Sequence, residues 1–438
     1  MDLFMRNKLI NKYVAGFILL LTLTYVDLIG QDTLTGLSVE QKSYQLYQDK
    51  KWKDLVKFGN KAIKEGYNYF YIQMRVGIAY FEKKQYCLAE SHFKKALSFS
   101  SNDELAQEYL YYCYIYMGRT EDARMLSKHF SKEFAAKTGV AKQSAVGFVM
   151  FEGGTKITDS AYYYDKGRRT SSNYFNPATY FQLGLEHGIK KRISLYHAAT
   201  YFSQQNFIGT LRQIQYYLRA AVPIKNNWLI SPSFHYVNIN FVSQMVVQNP
   251  PIIGPFGYPI PAYPPTKTET TTTNSNYFVG SLAIQKIIKR FTLTVGSTIS
   301  NMSNKTEYIN SGSLYYSVLG NSRIVLGCTG YLHTVDNYVT TYISAAPFIY
   351  LQPAKSISVK LSYLTNAGNN IIEDNGYFIN NSPDLTKSRF GVLANFSLTN
   401  SVSLYGLYQL EFKQENVQQF NYRYNVIVAG IKIVPKKG

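Results

Sequence analysis

From about residue 144 to the C-terminus one unit recurs along the chain. A run of about ten to fifteen residues alternates apolar and polar, a connection follows, and short connections alternate with long ones. Ala220, Val222 and Ile224 end one run, Lys225-Asn226-Asn227 turns, and Trp228-Leu229-Ile230 opens the next. Such alternation is what an up-and-down barrel in an outer membrane requires, because hydrocarbon tolerates neither open sheet edges nor unpaired amides. The pattern predicts about fourteen strands, starting near residues 144, 178, 192, 210, 228, 276, 290, 305, 322, 339, 356, 387, 402 and 419. An even count puts both ends of the barrel segment, residues 144–438, on the periplasmic side. The short turns Lys190-Lys191, Lys225-Asn226-Asn227, Lys289-Arg290, Gly320-Asn321, Pro353-Ala354-Lys355 and Asn400-Ser401 then fall on that side. The stretches Gly154 to Phe175, Gln244 to Asn274 and Asn366 to Thr386 are expected outside the cell.

Successive strand residues point to opposite faces, so the alternation assigns a lipid face and a lumen face. Ile214, Tyr216, Leu218, Ala220 and Val222 are expected to face lipid, with Gln213, Gln215, Tyr217 and Arg219 inside. In the strand from Val402, Leu404, Gly406, Tyr408, Leu410 and Phe412 face out, and Ser403, Tyr405, Gln409 and Glu411 face in. In the last strand Tyr422, Tyr424, Val426 and Val428 are expected outside, with Asn421, Arg423 and Asn425 inside. Gln182, Glu186, Lys360, Arg389 and Asn395 join the lumen. An Arg or Lys facing lipid at the midplane costs about 2–4 kcal/mol, which favours these inward assignments. The lumen candidates are therefore Arg219, Arg389, Arg423, Lys360, Glu186, Glu411, Gln182, Gln213 and Gln215. They fit either a hydrogen-bonded, closed interior or a polar passage with a positive bias, suited to a saccharide or an anionic solute.

The first part of the chain reads differently. Residues 1–30 carry Arg6, Lys8 and Lys12 before an apolar run from Val14 to Tyr25, the make-up of a signal peptide. That run is shorter than the about twenty residues a spanning helix needs. Residues 38–135 show apolar positions at helical spacing and a period of 34. Gly77, Tyr80, Ala89, Phe93 and Ala96 follow one another at intervals of three, nine, four and three. Small residues at these places let two helices approach, and the aromatics fill the groove between them. A shift of 34 gives Tyr111, Tyr114, Ala123 and Phe130, and a shift back gives Leu46, Leu55 and Ala62. The segment resembles a tetratricopeptide array of about three repeats, with Asp103 placed to cap a helix. Such arrays offer a face to a partner protein.

Composition narrows the function. Charged residues make up 17% of the chain, against about 25% in typical soluble proteins. Tyr and Phe number 40 and 26, and aromatics favour strands and interfacial girdles. The net charge of +19 is spread over turns and strand ends, which argues for lipid headgroups or an acidic glycan and against nucleic acid. Of the three cysteines, Cys87 and Cys113 read as small apolar residues of packed helices or as a pair; Cys328 reads as a wall residue. No metal-ligand spacing, nucleophile elbow or phosphate loop occurs, so no cofactor or metal is expected and the chain reads as non-enzymatic. A lipid-modifying barrel enzyme would need Ser and His brought together from separate strands; His187 is expected on the lipid side.

Signal peptide, short tetratricopeptide segment and barrel together resemble the YaiO-type outer-membrane proteins. The order also resembles the exopolysaccharide export porins for poly-N-acetylglucosamine and cellulose, whose repeat arrays are much longer. The resemblance implies an α+β two-domain chain: helical hairpins in the periplasm, followed by an antiparallel transmembrane barrel. It implies a channel or an export or assembly component whose helical segment docks a periplasmic protein. The alternative is a structural scaffold of a secretion or surface-glycan system.

Overall fold

The computed structural model describes residues 34–138, 146–158, 176–189, 193–206, 209–224, 226–248, 252–253, 259–260, 266–336, 340–379, 382, 384–414 and 421–435. The expected signal segment, the Lys190-Lys191 turn and residues 159–175 lie outside them.

Six helices form three hairpins: α1 (Gly36–Gln48) with α2 (Trp52–Lys64), α3 (Phe70–Glu82) with α4 (Tyr86–Phe99), and α5 (Glu104–Tyr116) with α6 (Thr120–Leu126); α7 (Lys132–Lys137) follows. First helices start at 36, 70 and 104 and second helices at 52, 86 and 120, so the 34-residue period is structural. The turns repeat as well. Lys50, Lys84 and Gly118 each take the left-handed conformation that ends a helix. Gly77 is required where α3 meets α4: a Cβ there would lie 2.8 Å from the Phe93 ring. Ala89, Phe93 and Ala96 are fully buried. Tyr80 stacks on His92 and accepts a 2.8 Å bond from Asn60. The Asp103 carboxylate caps α5 by accepting from the Ala106 amide at 2.8 Å, as its sequence position suggests. Cys87 and Cys113 are buried and unpaired, and burial raises the Cys87 thiol to about 11.

Fourteen antiparallel strands close the second unit: β1 (Val146–Thr158), β2 (Ala178–Ile189), β3 (Ile193–Asn206), β4 (Gly209–Ile224), β5 (Trp228–Gln248), β8 (Thr266–Ile288), β9 (Phe291–Ser300), β10 (Glu307–Ser317), β11 (Ile324–Val335), β12 (Thr340–Ala354), β13 (Ile357–Gly368), β16 (Leu385–Ser397), β17 (Val402–Gln414) and β18 (Asn421–Ile433). Two small hairpins stand outside the barrel sheet, β6 (Ile252–Ile253) with β7 (Pro259–Ile260) and β14 (Ile372–Glu373) with β15 (Phe378–Ile379). β1 pairs with β18 from Val149↔Ile433 to Thr158↔Tyr424, so no barrel edge is left open. Phe181, Leu183, Ile214, Phe278, Val295, Ile343 and Ile427 stand exposed on the outer face, the apolar band that a barrel presents to hydrocarbon. Cys328 is exposed there too. Among the described residues no helix is long and apolar enough to cross a membrane.

Three expectations change. The stretch Gln244 to Asn274 is mostly not a loop. β5 and β8 stay paired out to Gln248↔Thr266, making a ribbon that outruns its neighbours. The Thr run 270–273 extends readily, and within this stretch the prolines are confined to residues 250–265. Second, the faces of β18 are reversed. Glu411↔Tyr424 and Phe412↔Arg423 are directly opposed, so Tyr422, Tyr424, Val426 and Val428 point inward while Arg423, Asn421 and Asn425 share the outer face with Phe412. Asn425 accepts from Tyr408 on that exterior at 2.7 Å. Third, the stretch from Asn366 to Thr386 does not stay outside the barrel; its described part folds into the lumen.

The helical unit lies against one end of the barrel. The Cys87 amide donates to the Gly320 carbonyl at 3.0 Å, and Asn321 donates to the Lys84 carbonyl at 3.0 Å. Ser322 bonds the Tyr116 carbonyl at 3.3 Å, and Lys94 donates to Asn227. Arg124, from α6, reaches to 3.8 Å from Glu186 on β2. All these barrel residues lie in or beside the turns after β2, β4 and β10, so the short turns share the helix-capped end.

Candidate functional site: the lumen and its inward loop

Between β13 and β16 the chain turns back into the barrel from the end opposite the helices. Asp374, Asn375 and Gly376 adopt consecutive left-handed conformations, which makes a tight tip between β14 and β15. The tip is bound by the wall on several sides. The Asn375 carbonyl accepts from Ser233 at 2.5 Å and from Tyr217 at 3.1 Å. Its side-chain amide donates to the Ser231 carbonyl at 2.8 Å. His235 Nδ1 donates to the Gly376 carbonyl at 2.8 Å. Tyr377 accepts from Gln182 and lies 3.4 Å from the Tyr196 hydroxyl. Nearer its root the loop has an apolar foot: Ile371 and Ile372 are buried among Val237, Tyr277, Val279, Ile309 and Tyr331.

Charge is buried beside the loop. Arg389 of β16 donates to Glu373 of β14 at 2.5 Å and lies 3.9 Å from Glu411 of β17. Glu411 also meets Lys156 at 3.1 Å and Lys413 at 4.0 Å, and Lys413 donates to Thr386 at 2.9 Å. Tyr422 donates to Asp384. Glu152 accepts from both Tyr180 and Tyr405. Glu307 sits 3.4 Å from His333 and accepts from Asn370 of the loop at 3.2 Å. Each carboxylate is thus neutralised or hydrogen-bonded, as burial demands.

Of the residues expected inside, Gln182, Glu186, Gln213, Gln215, Arg219, Lys360, Arg389 and Glu411 are on the lumen side. Gln182 and Gln213 are buried, and Gln182, Gln213, Gln215, Lys360, Arg389 and Glu411 line one cavity of about 560 Å³ between wall and loop. Arg219 packs over the Tyr196 ring. Arg423 is not among them, for the reason given above. The structure adds Glu152, Lys156, Glu307, Glu373, Asp374, Lys413 and Lys432, so the lumen has no net positive bias. Ile371-Ile372, an apolar pair inside an Asn/Asp-rich stretch, was the signal that this loop finds a buried home.

His187 is on the exterior, as expected. Its Nε2 is 3.0 Å from His197 Nε2, and His197 Nδ1 is 2.6 Å from the Tyr216 hydroxyl. No serine takes part in these two contacts. Among the described residues no His, Cys, Asp and Glu group is arranged to hold a metal.

No protein-family model and no curated protein matches the sequence. Among solved structures, the barrel is similar to a Pseudomonas aeruginosa FadL homologue, with 10% identity over 66% of this chain and 89% of that one, TM-score 0.40. It is also similar to the Acinetobacter baumannii outer membrane protein Omp33, with 10% identity over 67% of this chain and 100% of that one, TM-score 0.36. The helical unit is similar to a MamA mutant, with 22% identity over 22% of this chain and 55% of that one, TM-score 0.21. These scores are low, and the fold is established by this chain's own strand pairing and helical period.

Proposed function

We propose that this protein is a non-enzymatic outer-membrane channel or export component in which the loop around residues 366–384 sets whether solute passes. In this reading the helix-capped end faces the periplasm, and the helical unit docks a partner protein there. The order of a short tetratricopeptide-like unit and a barrel supports a YaiO-type assignment, and a saccharide or an anion suits the Tyr- and Gln-lined wall. One observation carries the proposal: the loop tip is held inside the lumen chiefly by hydrogen bonds, beside the edge-on packing of the Tyr377 ring. Water can replace such contacts at a small net cost each, about 0.5–1.5 kcal/mol, whereas undocking an apolar anchor exposes its surface to water. Planar-bilayer recording tests it. Replacing residues 370–382 by a short Gly-Ser linker is expected to raise single-channel conductance sharply, since the barrel wall alone sets the pore once the loop is gone. Equal conductance with and without the loop would defeat the proposal and leave a scaffold role as the better reading.

A further inference from the structure

The lumen charges differ in how far they are committed. Glu152, Glu186, Glu307, Glu373, Asp384 and Glu411 all have the partners described above. Among the described residues Lys360 and Lys432 have no carboxylate within ion-pair distance. Instead Lys360 Nζ lies 4.7 Å from the centre of the Phe348 ring, and Lys432 Nζ lies 3.9 Å from that of Phe148. A ring face is a weak substitute for an anion. Both lysines line the 560 Å³ cavity, and Phe348, Leu393, Leu407 and Val428 give its wall an apolar area on that side, beside the polar Ser362, Asn395 and Gln409. Asp374, at the loop tip, also borders the cavity, so among these three groups a single positive charge is left in excess, although the lumen as a whole has none. The volume falls in the range that encloses a small organic molecule, about 300–1,000 Å³.

We propose that this cavity binds a small organic anion with an aromatic body, its acid group held at Lys360 or Lys432 and its ring packed against Phe348, Leu393, Leu407 and Val428. A fully polar anion leaves that wall unfilled, and a neutral aromatic leaves the lysines uncompensated. The proposal rests on the reading of the lumen as a solute path, and it narrows the solute to one class.

Isothermal titration of the full chain in detergent micelles, with blank micelles subtracted, tests it with three probes: 4-phenylbutyrate, 4-phenylbutanol and butyrate. The phenylbutyrate is expected to bind at least about tenfold more tightly than either of the others. The double variant Lys360→Met, Lys432→Met keeps the aliphatic stems and should lose at least about tenfold of that affinity, while Lys360→Arg, Lys432→Arg should retain it. Heat-modifiable migration in gels verifies that each variant folds. Equal binding of acid and alcohol, equal binding of butyrate and phenylbutyrate, unchanged binding by the Met variant, or no binding at all would each overturn the proposal. A barrel that binds the probe but conducts no better without its loop would sink the channel reading and leave the site standing. One that conducts but does not bind would sink the site alone.

Discussion

The helical unit and the inward loop are secured by opposite means. In the helical unit, Phe93, Ala89, Ala96, Leu110 and Cys113 form a closed apolar cluster, and Gly77 exists to let Phe93 in. In the loop, the tip makes polar contacts with at least four strands, and the apolar anchors Ile371 and Ile372, with Ile379 packed against their cluster, lie nearer its root. Apolar burial is lost only when a core opens. Hydrogen bonds to a polar wall are exchanged for water at little net cost. The contrast teaches that these two parts of one chain can differ widely in the ease with which they move.

The largest expected effect falls in the helical core. Phe93→Ala should destabilise the helical unit by about 3–5 kcal/mol, measured by hydrogen exchange of the amides of α3 and α4 in the full chain. The barrel should keep its heat-modifiable migration. Loss of both together would mean that the two regions fold as one, and the contrast would fail.

Next comes the loop's ion pair with Arg389. Glu373→Gln removes the carboxylate that meets Arg389 at 2.5 Å. Hydrogen bonds to charged groups contribute about 1.5–3 kcal/mol, so the docked state should weaken by that order. Protection of the loop amides in hydrogen exchange should fall, with no change in α3 or α4.

Acid should act on the helical unit in a defined window. Burial lowers the His92 imidazole from 6.5 to about 4. Between those values the unfolded chain takes up a proton that the folded chain refuses, so stability present above pH 6.5 is lost as pH falls toward 4. Glu40 works in the same direction: its hydrogen bond with Arg75 holds the carboxylate below its ordinary 4.5. That contribution is present above 4.5 and disappears as pH falls through the lowered value. A loss of about 1–3 kcal/mol between pH 7 and 4.5 is expected, flattened in a His92→Asn variant.

Legibility in the sequence followed periodicity. The 34-residue repeat and the small-residue positions at Gly77 and Ala89 specify the helical hairpins because close packing admits no other size there. Strand starts were readable to within a few residues, except at β8, where the Thr-rich approach lacks the apolar alternation used to find strands. β18 failed for a different reason. In Asn421–Ile433 the tyrosines and valines occupy one parity and Ile427, Ala429, Ile431 and Ile433 the other, so apolarity alone cannot choose a face. Tyrosine suits a girdle and a lumen equally, and only the pairing of Tyr424 with Glu411 decides. The candidate lumen residues on strands were readable for the same reason as the strands. Glu373, Asn375 and Tyr377 were not, since a loop has no period and its resting place depends on partners 140 or more residues away, as with Ser233 and Asn375.

The smallest expected effect separates the two regions most cleanly. Tyr377→Phe removes one hydroxyl that accepts from Gln182 and lies near Tyr196, and it leaves the ring stacked edge-on to Tyr217 and Tyr196. Gln182 keeps Thr200 as a donor to its carbonyl, so only its amide is stranded, at a cost of about 1 kcal/mol. In a tightly packed core a change of that size leaves the population of open states beyond detection. In a loop docked by a handful of such bonds it should raise the frequency of brief openings in bilayer recordings about fivefold, the factor that 1 kcal/mol gives at room temperature. If Tyr377→Phe leaves gating unchanged while Glu373→Gln alters it, the ion pair alone is the latch, and the hydrogen-bonded tip only follows.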